Sequence, residues 1–246
     1  MATFALVHGS WHGAWCWERL EPELAARGHR AIAIDLPIED PDAGLGRHAE
    51  LVAEALVGVD DDVILVGHSM AGSTVPLVAR HRPLRHLVFL AALVPEPGRS
   101  VTDRYTMEDV YVPGFVGNTL LRDDGASYWP DPEAAVRCFY HDCTAADAAW
   151  AVSRLRPQSA APRLEPWPLD ALPDVDRTSI VCRDERVIAP AWSRTMSRDL
   201  LGVEPLELDG GHSPSSHGPL SWRTSSSAWA DRPRSHGPGP GYRTES

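Results

Sequence analysis

Short apolar runs alternate with amphipathic stretches over the first ninety residues of the chain. "FALVHG" (4–9) is a continuous apolar run closed by glycine, the pattern of a strand buried on both faces. "AWCWERLEPELAARGH" follows with helical spacing, placing Trp15, Leu20 and Leu24 on one side and Gly28 at the stop. "AIAIDLP" predicts a second buried strand, Ala49–Val57 a helix, "DVILVGHS" a third strand, Ala71–Arg80 a helix and "LRHLVFLAAL" a fourth strand. Continuous apolar strands alternating with helices predict an α/β fold: a mostly parallel sheet covered by helices on both faces. The rhythm breaks from about Pro95 to Pro168, where Pro, Asp, Trp and Tyr accumulate and no strand is predicted. Two short helices are expected there, in "DPEAAVRCFYHDC" and "TAADAAWAVSRL", with Asp131 and Thr144 as N-caps. Alternation then resumes through "RTSIVC", "PAWSRTMSRDL" and "VEPLELDGGH". The expected organisation is a core over 1–94 and 169–214, with 95–168 inserted as a helical cap.

Composition narrows the class. The chain has 246 residues, 43% hydrophobic content and a formal net charge of -11. An acidic chain argues against nucleic acid or an anionic membrane as the main partner. Lysine is absent, so arginine carries all the basic side-chain charge. Cys16, Cys138, Cys143 and Cys182 are scattered without CxxC spacing and read as buried thiols. "MATFALVHGS" lacks a charged n-region and its apolar run is too short for a signal peptide. No stretch is long enough to span a bilayer, and a cytoplasmic protein is expected.

The chemistry centres on "ILVGHSMAG". A buried strand runs into Gly67-His68-Ser69-Met70-Ala71 and then a helix, the context of a nucleophile elbow. Small residues stand two before and two after Ser69, where a sharp turn leaves little room. The turn lifts the hydroxyl above the carboxyl end of the sheet, and the following helix start favours developing negative charge. His212 follows a late strand and a Gly-Gly turn, where the order Ser…acid…His places a general base. An orienting carboxylate is expected after "TSIVC", where Asp184 and Glu185 are adjacent, so one of the two serves. Two oxyanion donors are expected: the Met70 N–H at the helix start and the Ser10 N–H in "HGSWHG". His8 and His12 have a spacing compatible with zinc, but no third ligand is evident and no metal is expected.

Together these residues resemble the α/β-hydrolase superfamily, and more closely the plant methylesterase and hydroxynitrile lyase group with its bacterial esterase relatives. The stretches that carry the resemblance are "LVHGSWHGAWCWERLEPELAARGH", "VILVGHSMAG", "FYHDCTAADAAWAVSRLRP", "CRDERVIAPAWSRTM" and "GVEPLELDGGHSP". The resemblance implies a helical cap over a Ser-His-acid triad, no cofactor, and small ester substrates. It implies Glu185 as the acid, three residues after Cys182, where the family usually has Asp; Asp184 is the alternative. Lyases of this group carry Thr where Gly9 stands and Lys where Ser213 stands, so hydrolysis is favoured over cyanohydrin cleavage. The expected function is a serine hydrolase acting on a small carboxylic ester. Tyr105, Phe115, Trp129, Phe139 and Trp150 are candidate pocket walls. A catalytically inactive ligand-binding protein on the same fold is the rival reading.

After Pro214 the character changes to Ser, Trp, Arg, Gly and Pro with no period. Residues 215–246 are expected to be disordered or the product of a reading-frame shift. Shifting "SPSSHGPLSWRTSSSAW" by one base, with suitable third bases, gives "SPFLSRPAELADLLLGL", an amphipathic helix. Sequencing the gene and its nearest neighbours checks this: the neighbours are expected to continue "GGHSP" with such an apolar segment. A shared in-frame tail overturns the shift.

Overall fold

The computed structural model describes residues 1–214. Its core is a six-stranded, wholly parallel sheet whose strands lie in the order Arg30–Ile34, Thr3–Val7, Val63–His68, His86–Leu90, Arg177–Cys182, Leu206–Leu208. In chain order the elements are β1 (Thr3–Val7), α1 (Leu20–Ala26), β2 (Arg30–Ile34), α2 (Leu45–Ala55), β3 (Val63–His68) and β4 (His86–Leu90). Next come α3 (Val101–Met107), the antiparallel pair β5 (Leu120–Leu121) and β6 (Ser127–Tyr128), α4 (Pro132–Phe139), α5 (Ala145–Val152) and α6 (Ala161–Leu164). The sheet is completed by β7 (Arg177–Cys182), α7 (Pro190–Asp199) and β8 (Leu206–Leu208).

The continuous apolar strands are explained by two cores. Phe4, Leu6, Ile64, Val66, Val88 and Leu90 pack on one face with Trp17, Leu20 and Leu24. Their neighbours Ala5, Val7, Val63, Leu65, Leu87 and Phe89 pack on the other with α2 residues Leu45, Ala49 and Val52. Alternate side chains of a strand point to opposite faces, so helices on both faces demand apolar residues at every position. The residues between β4 and β7 place a third apolar cluster, including Phe115, Phe139, Tyr140 and Ala151, against Met70 and Leu93.

Two expected helices are interrupted. The first divides into a 3-10 turn over Ala14–Trp17 and α1, because Pro22 cannot sit inside a continuous helix without striking the carbonyl four residues earlier. The segment expected as a helix over Ala71–Arg80 is instead two 3-10 turns, Ser69–Ser73 and Val75–Arg80. Pro76 has no N–H to donate back to Gly72. The expected α2 starts earlier, at Leu45 rather than Ala49. In the 95–168 segment, Asp131 and Thr144 cap α4 and α5 through Glu133 N–H (2.9 Å) and Asp147 N–H (3.2 Å). The sequence reading omitted α3, α6 and the β5–β6 pair. The signal for α3 was Ser100-x-x-Asp103, which forms a reciprocal capping box. The expectation for residues 215–246 lies outside the described residues.

The strand order places the site. β1 leads outward to β2, and the chain then returns across β1 to β3, so the sheet reverses direction of growth between β1 and β3. Ligand crevices form at such reversals, beyond the carboxyl ends of the strands. Val7 is registered against Gly67, so the loops after β1 and β3 emerge side by side.

Gly72 records how tightly this region packs: a Cβ built there would lie 2.3 Å from the Leu93 carbonyl and 2.8 Å from the Ala92 Cβ. The obstructing atom is backbone and cannot swing away. Gly72→Ala is expected to lower stability by roughly 1–3 kcal/mol or more, as overpacking does. Urea unfolding of the variant measures it; a wild-type midpoint contradicts the packing.

Candidate active site

Ser69 leaves β3 in the left-handed region, with φ 54°. A side chain held there by its surroundings is strained by roughly 1–3 kcal/mol. The neighbouring glycines create the space. A Cβ at Gly67 would lie 2.8 Å from Val75 Cγ2 and 2.9 Å from the Ala71 carbonyl. A Cβ at Gly9 would lie 2.7 Å from Ser69 Cβ and 3.1 Å from the His68 carbonyl. Gly9 is where the lyase-like Thr would stand, and this backbone has no room for it. The Ser69 carbonyl accepts from Leu93 N–H at 3.0 Å, which ties the turn to the loop after β4.

His212 and Glu185 form a buried pair. The imidazole Nδ1–H donates to Glu185 Oε2 at 2.8 Å, and both side chains are almost fully buried. The other carboxylate oxygen, Oε1, accepts from Val187 N–H at 2.8 Å. Asp184 faces elsewhere: its Oδ2 accepts from Gly210 N–H at 3.1 Å, and its own N–H donates to the Gly210 carbonyl at 3.0 Å. The structure thus places Glu185 on the imidazole and Asp184 on the turn that delivers it. His68 Nε2–H donates to the His212 carbonyl at 2.8 Å, and the two rings stand 4.8 Å apart. His212 is thereby held beside the residue preceding Ser69. No hydrogen bond joins Ser69 Oγ to the imidazole among the described residues, and such bonds are often loose in unliganded enzymes.

Ser10, Ser69 and Met70 line one cavity of about 330 Å³. The Met70 amide lies in the first turn after β3, where no preceding carbonyl of that helix reaches it. The Ser10 loop is fixed from below. Leu36 N–H donates to His8 Nε2 at 3.0 Å, leaving Nδ1–H to donate to the Gly9 carbonyl at 2.9 Å. His12 Nδ1–H donates to the Ser10 carbonyl at 2.7 Å, and its Nε2 accepts from the Tyr140 hydroxyl at 2.7 Å. Both zinc-like histidines are therefore engaged in holding the loop. Tyr140 belongs to the segment after α4, and the adjacent Asp142 carboxylate accepts from Gly211 N–H.

Of the five candidate pocket walls, Tyr105 and Phe115 line the cavity. Trp129, Phe139 and Trp150 do not. Phe139 is buried between the His12 and His212 rings, 5.4 and 5.7 Å away. Trp129 packs edge-on against Phe139 and Trp11. Trp150 packs on Trp15 beneath the Arg154 guanidinium. All three pack against other aromatic or basic side chains rather than facing the cavity. Sequence reasoning missed Trp11, Tyr111, Ser127, Gln158 and Arg163, which also line the cavity. Trp11 carried a signal, since it directly follows Ser10; its φ of 62° is a second left-handed position at the site. Tyr111 and Gln158 come from loops, and Ser127 and Arg163 from elements of two and four residues, too short for any periodicity to reveal them.

The sequence model described as the alpha/beta hydrolase family matches residues 4–220. Salicylic acid-binding protein 2 of Nicotiana tabacum is 28% identical over 232 residues, covering 84% of this chain and 88% of that protein. Methylesterase 7 of Arabidopsis thaliana is 29% identical over 245 residues, covering 86% and 89%. A pyrethroid hydrolase from Sphingobium faniae JZ-2 shares the fold with a TM-score of 0.79 at 22% identity, covering 94% of this chain and 98% of that one.

The site's histidines set a pH dependence. Burial holds His12 down at about 3 and His48 at about 4, and burial with the neighbouring His212 holds His68 well below its ordinary value. Each is neutral when folded but takes a proton near pH 6.5 when unfolded. The unfolded state therefore binds more protons below that pH, and stability falls on acidification. Each group removes up to about 1.4 kcal/mol per pH unit between its unfolded and folded values. Urea midpoints are expected to drop from pH 7 to pH 5 and to drop less steeply in His48→Gln; a flat profile contradicts the neutral buried imidazoles.

Proposed function

Because the chain belongs to the alpha/beta hydrolase family, we propose that it is a serine hydrolase that cleaves a small carboxylic ester through an acyl-enzyme. The observation that carries this reading is the buried His212–Glu185 pair held beside a serine in a left-handed turn. With Nδ1 occupied by Glu185, the imidazole keeps Nε2 as the basic nitrogen. Ser69 Oγ attacks the acyl carbon and Nε2 takes its proton. The carbonyl oxygen becomes an oxyanion, received by the Ser10 and Met70 N–H groups. Collapse of the tetrahedral intermediate expels the alcohol, which leaves with the proton from His212. Water, deprotonated by the same nitrogen, then releases the acid and restores Ser69.

Glu serves in place of the usual Asp because its extra methylene is taken up locally. Glu185 Oε1 turns back onto Val187 N–H while Oε2 reaches the imidazole. Hydrolysis rather than lyase chemistry is supported by the steric demand at Gly9, which excludes the branched hydroxyl side chain of the lyase pattern. The similar proteins named as esterases and hydrolases support the same reaction class.

A fluorophosphonate probe is expected to label Ser69 in the wild type and not in Ser69→Ala, as only an activated serine reacts. Absence of labelling favours the ligand-binding rival. On nitrophenyl esters of increasing chain length, Ser69→Ala is expected to lose several orders of magnitude in kcat. Glu185→Gln is expected to lose roughly 10³–10⁴-fold, as loss of the orienting carboxylate does elsewhere. Asp184→Asn retains most activity; the reverse ranking of the two carboxylates would overturn the assignment of Glu185.

A further inference from the structure

The wall of the Ser69 cavity is chemically uneven. Met70, Leu93, Phe115, Val187 and Ile188 make most of it apolar, while Arg163 adds a cation. Other arginines near the seam between core and inserted segment are neutralised. Arg99 and Arg104 each pair with both Glu96 and Glu108, and Arg156 pairs with Asp35. Arg163 has neither a carboxylate partner nor a side-chain hydrogen bond among the described residues. Tyr111 lines the same cavity within electrostatic reach of Arg163, and burial pushes its phenol pKa up, which keeps its O–H as a donor.

A guanidinium beside an apolar pocket loses hydration when a neutral ligand fills the space, with nothing gained in return. A carboxylate reverses that balance, since it accepts two parallel N–H bonds from the fork. The net charge of -11 repels anions at long range, so this recognition acts only at contact. A volume of about 330 Å³ suits a small ligand. We propose that the cavity binds esters carrying a second, ionised carboxyl group away from the scissile bond, with Arg163 as the residue that reads it. Half-esters of dicarboxylic acids are the substrate class. The hydrolytic part of this inference rests on Ser69 being the nucleophile; the binding part does not.

The test uses the monomethyl esters of succinate, adipate and suberate, each against its neutral ω-carboxamide counterpart of the same shape. Wild-type kcat/KM is expected to favour the carboxylate for at least one chain length by roughly ten- to hundredfold, the scale of a charge-assisted hydrogen bond. In Arg163→Met that ratio falls toward one, and Arg163→Lys keeps part of it. Because the ratio is taken within each variant, a general loss of activity does not imitate the effect. Calorimetric binding of the same esters to Ser69→Ala gives the preference without turnover. No preference in the wild type, or one that survives Arg163→Met, overturns the proposal even if Ser69 labels with fluorophosphonate. An Arg163-dependent preference in binding, with no labelling of Ser69, upholds the carboxylate site and defeats the esterase reading instead.

Discussion

The left-handed turn at Ser69 is the constraint on which the site depends. A non-glycine residue adopts that geometry only when its surroundings leave no better alternative. Here three glycines remove the obstacles, at Gly67 below the turn, Gly9 beside it and Gly72 in the turn that follows. The Leu93 amide then holds the Ser69 carbonyl. The parallel register between β1 and β3 supplies the rest, since it brings the Gly9–Ser10 backbone against the serine. The meeting of Ser10, Ser69 and Met70 at one cavity follows from one unusual φ and the close contacts that enforce it.

A second layer consists of buried histidines. His8, His12 and His68 lie buried around the turn, and each uses a ring N–H to hold a backbone carbonyl: Gly9, Ser10 and His212 in turn. A neutral imidazole suits this work, because it offers one donor and one acceptor in fixed directions without burying a charge. His212 differs from these three in where its Nδ1–H goes: it donates to a buried carboxylate, Glu185, rather than to a backbone carbonyl.

The core was legible in the sequence wherever burial is two-sided. Runs such as "VILVGH" leave little room for another assignment, and the elbow is announced by its small flanking residues. His212 was readable from its place after the last strand. The choice between Asp184 and Glu185 was not readable from the residues alone. Adjacent side chains diverge, and only the path of the Gly210 turn decides which one meets the imidazole. The stretch from 95 to 168 was legible in its caps but not in its contacts. Phe139, Trp129 and Trp150 look like pocket walls in sequence, yet they are taken up by packing against other rings. Arg163 and Gln158 were invisible, because residues of a single-turn helix and of a loop reach a cavity through tertiary geometry that no periodicity records.

The residues just after α4 also give the molecule a mechanical property. Within three positions, Tyr140 bonds the loop that carries one amide donor and Asp142 bonds the loop that carries the imidazole. Hydrogen bonds tolerate only a few tenths of an ångström before they weaken. Any displacement of this short stretch therefore strains both loops at once. The loop of Ser10 and the loop of His212 are thus tied to one stretch of three residues, and a shift there is felt by both together.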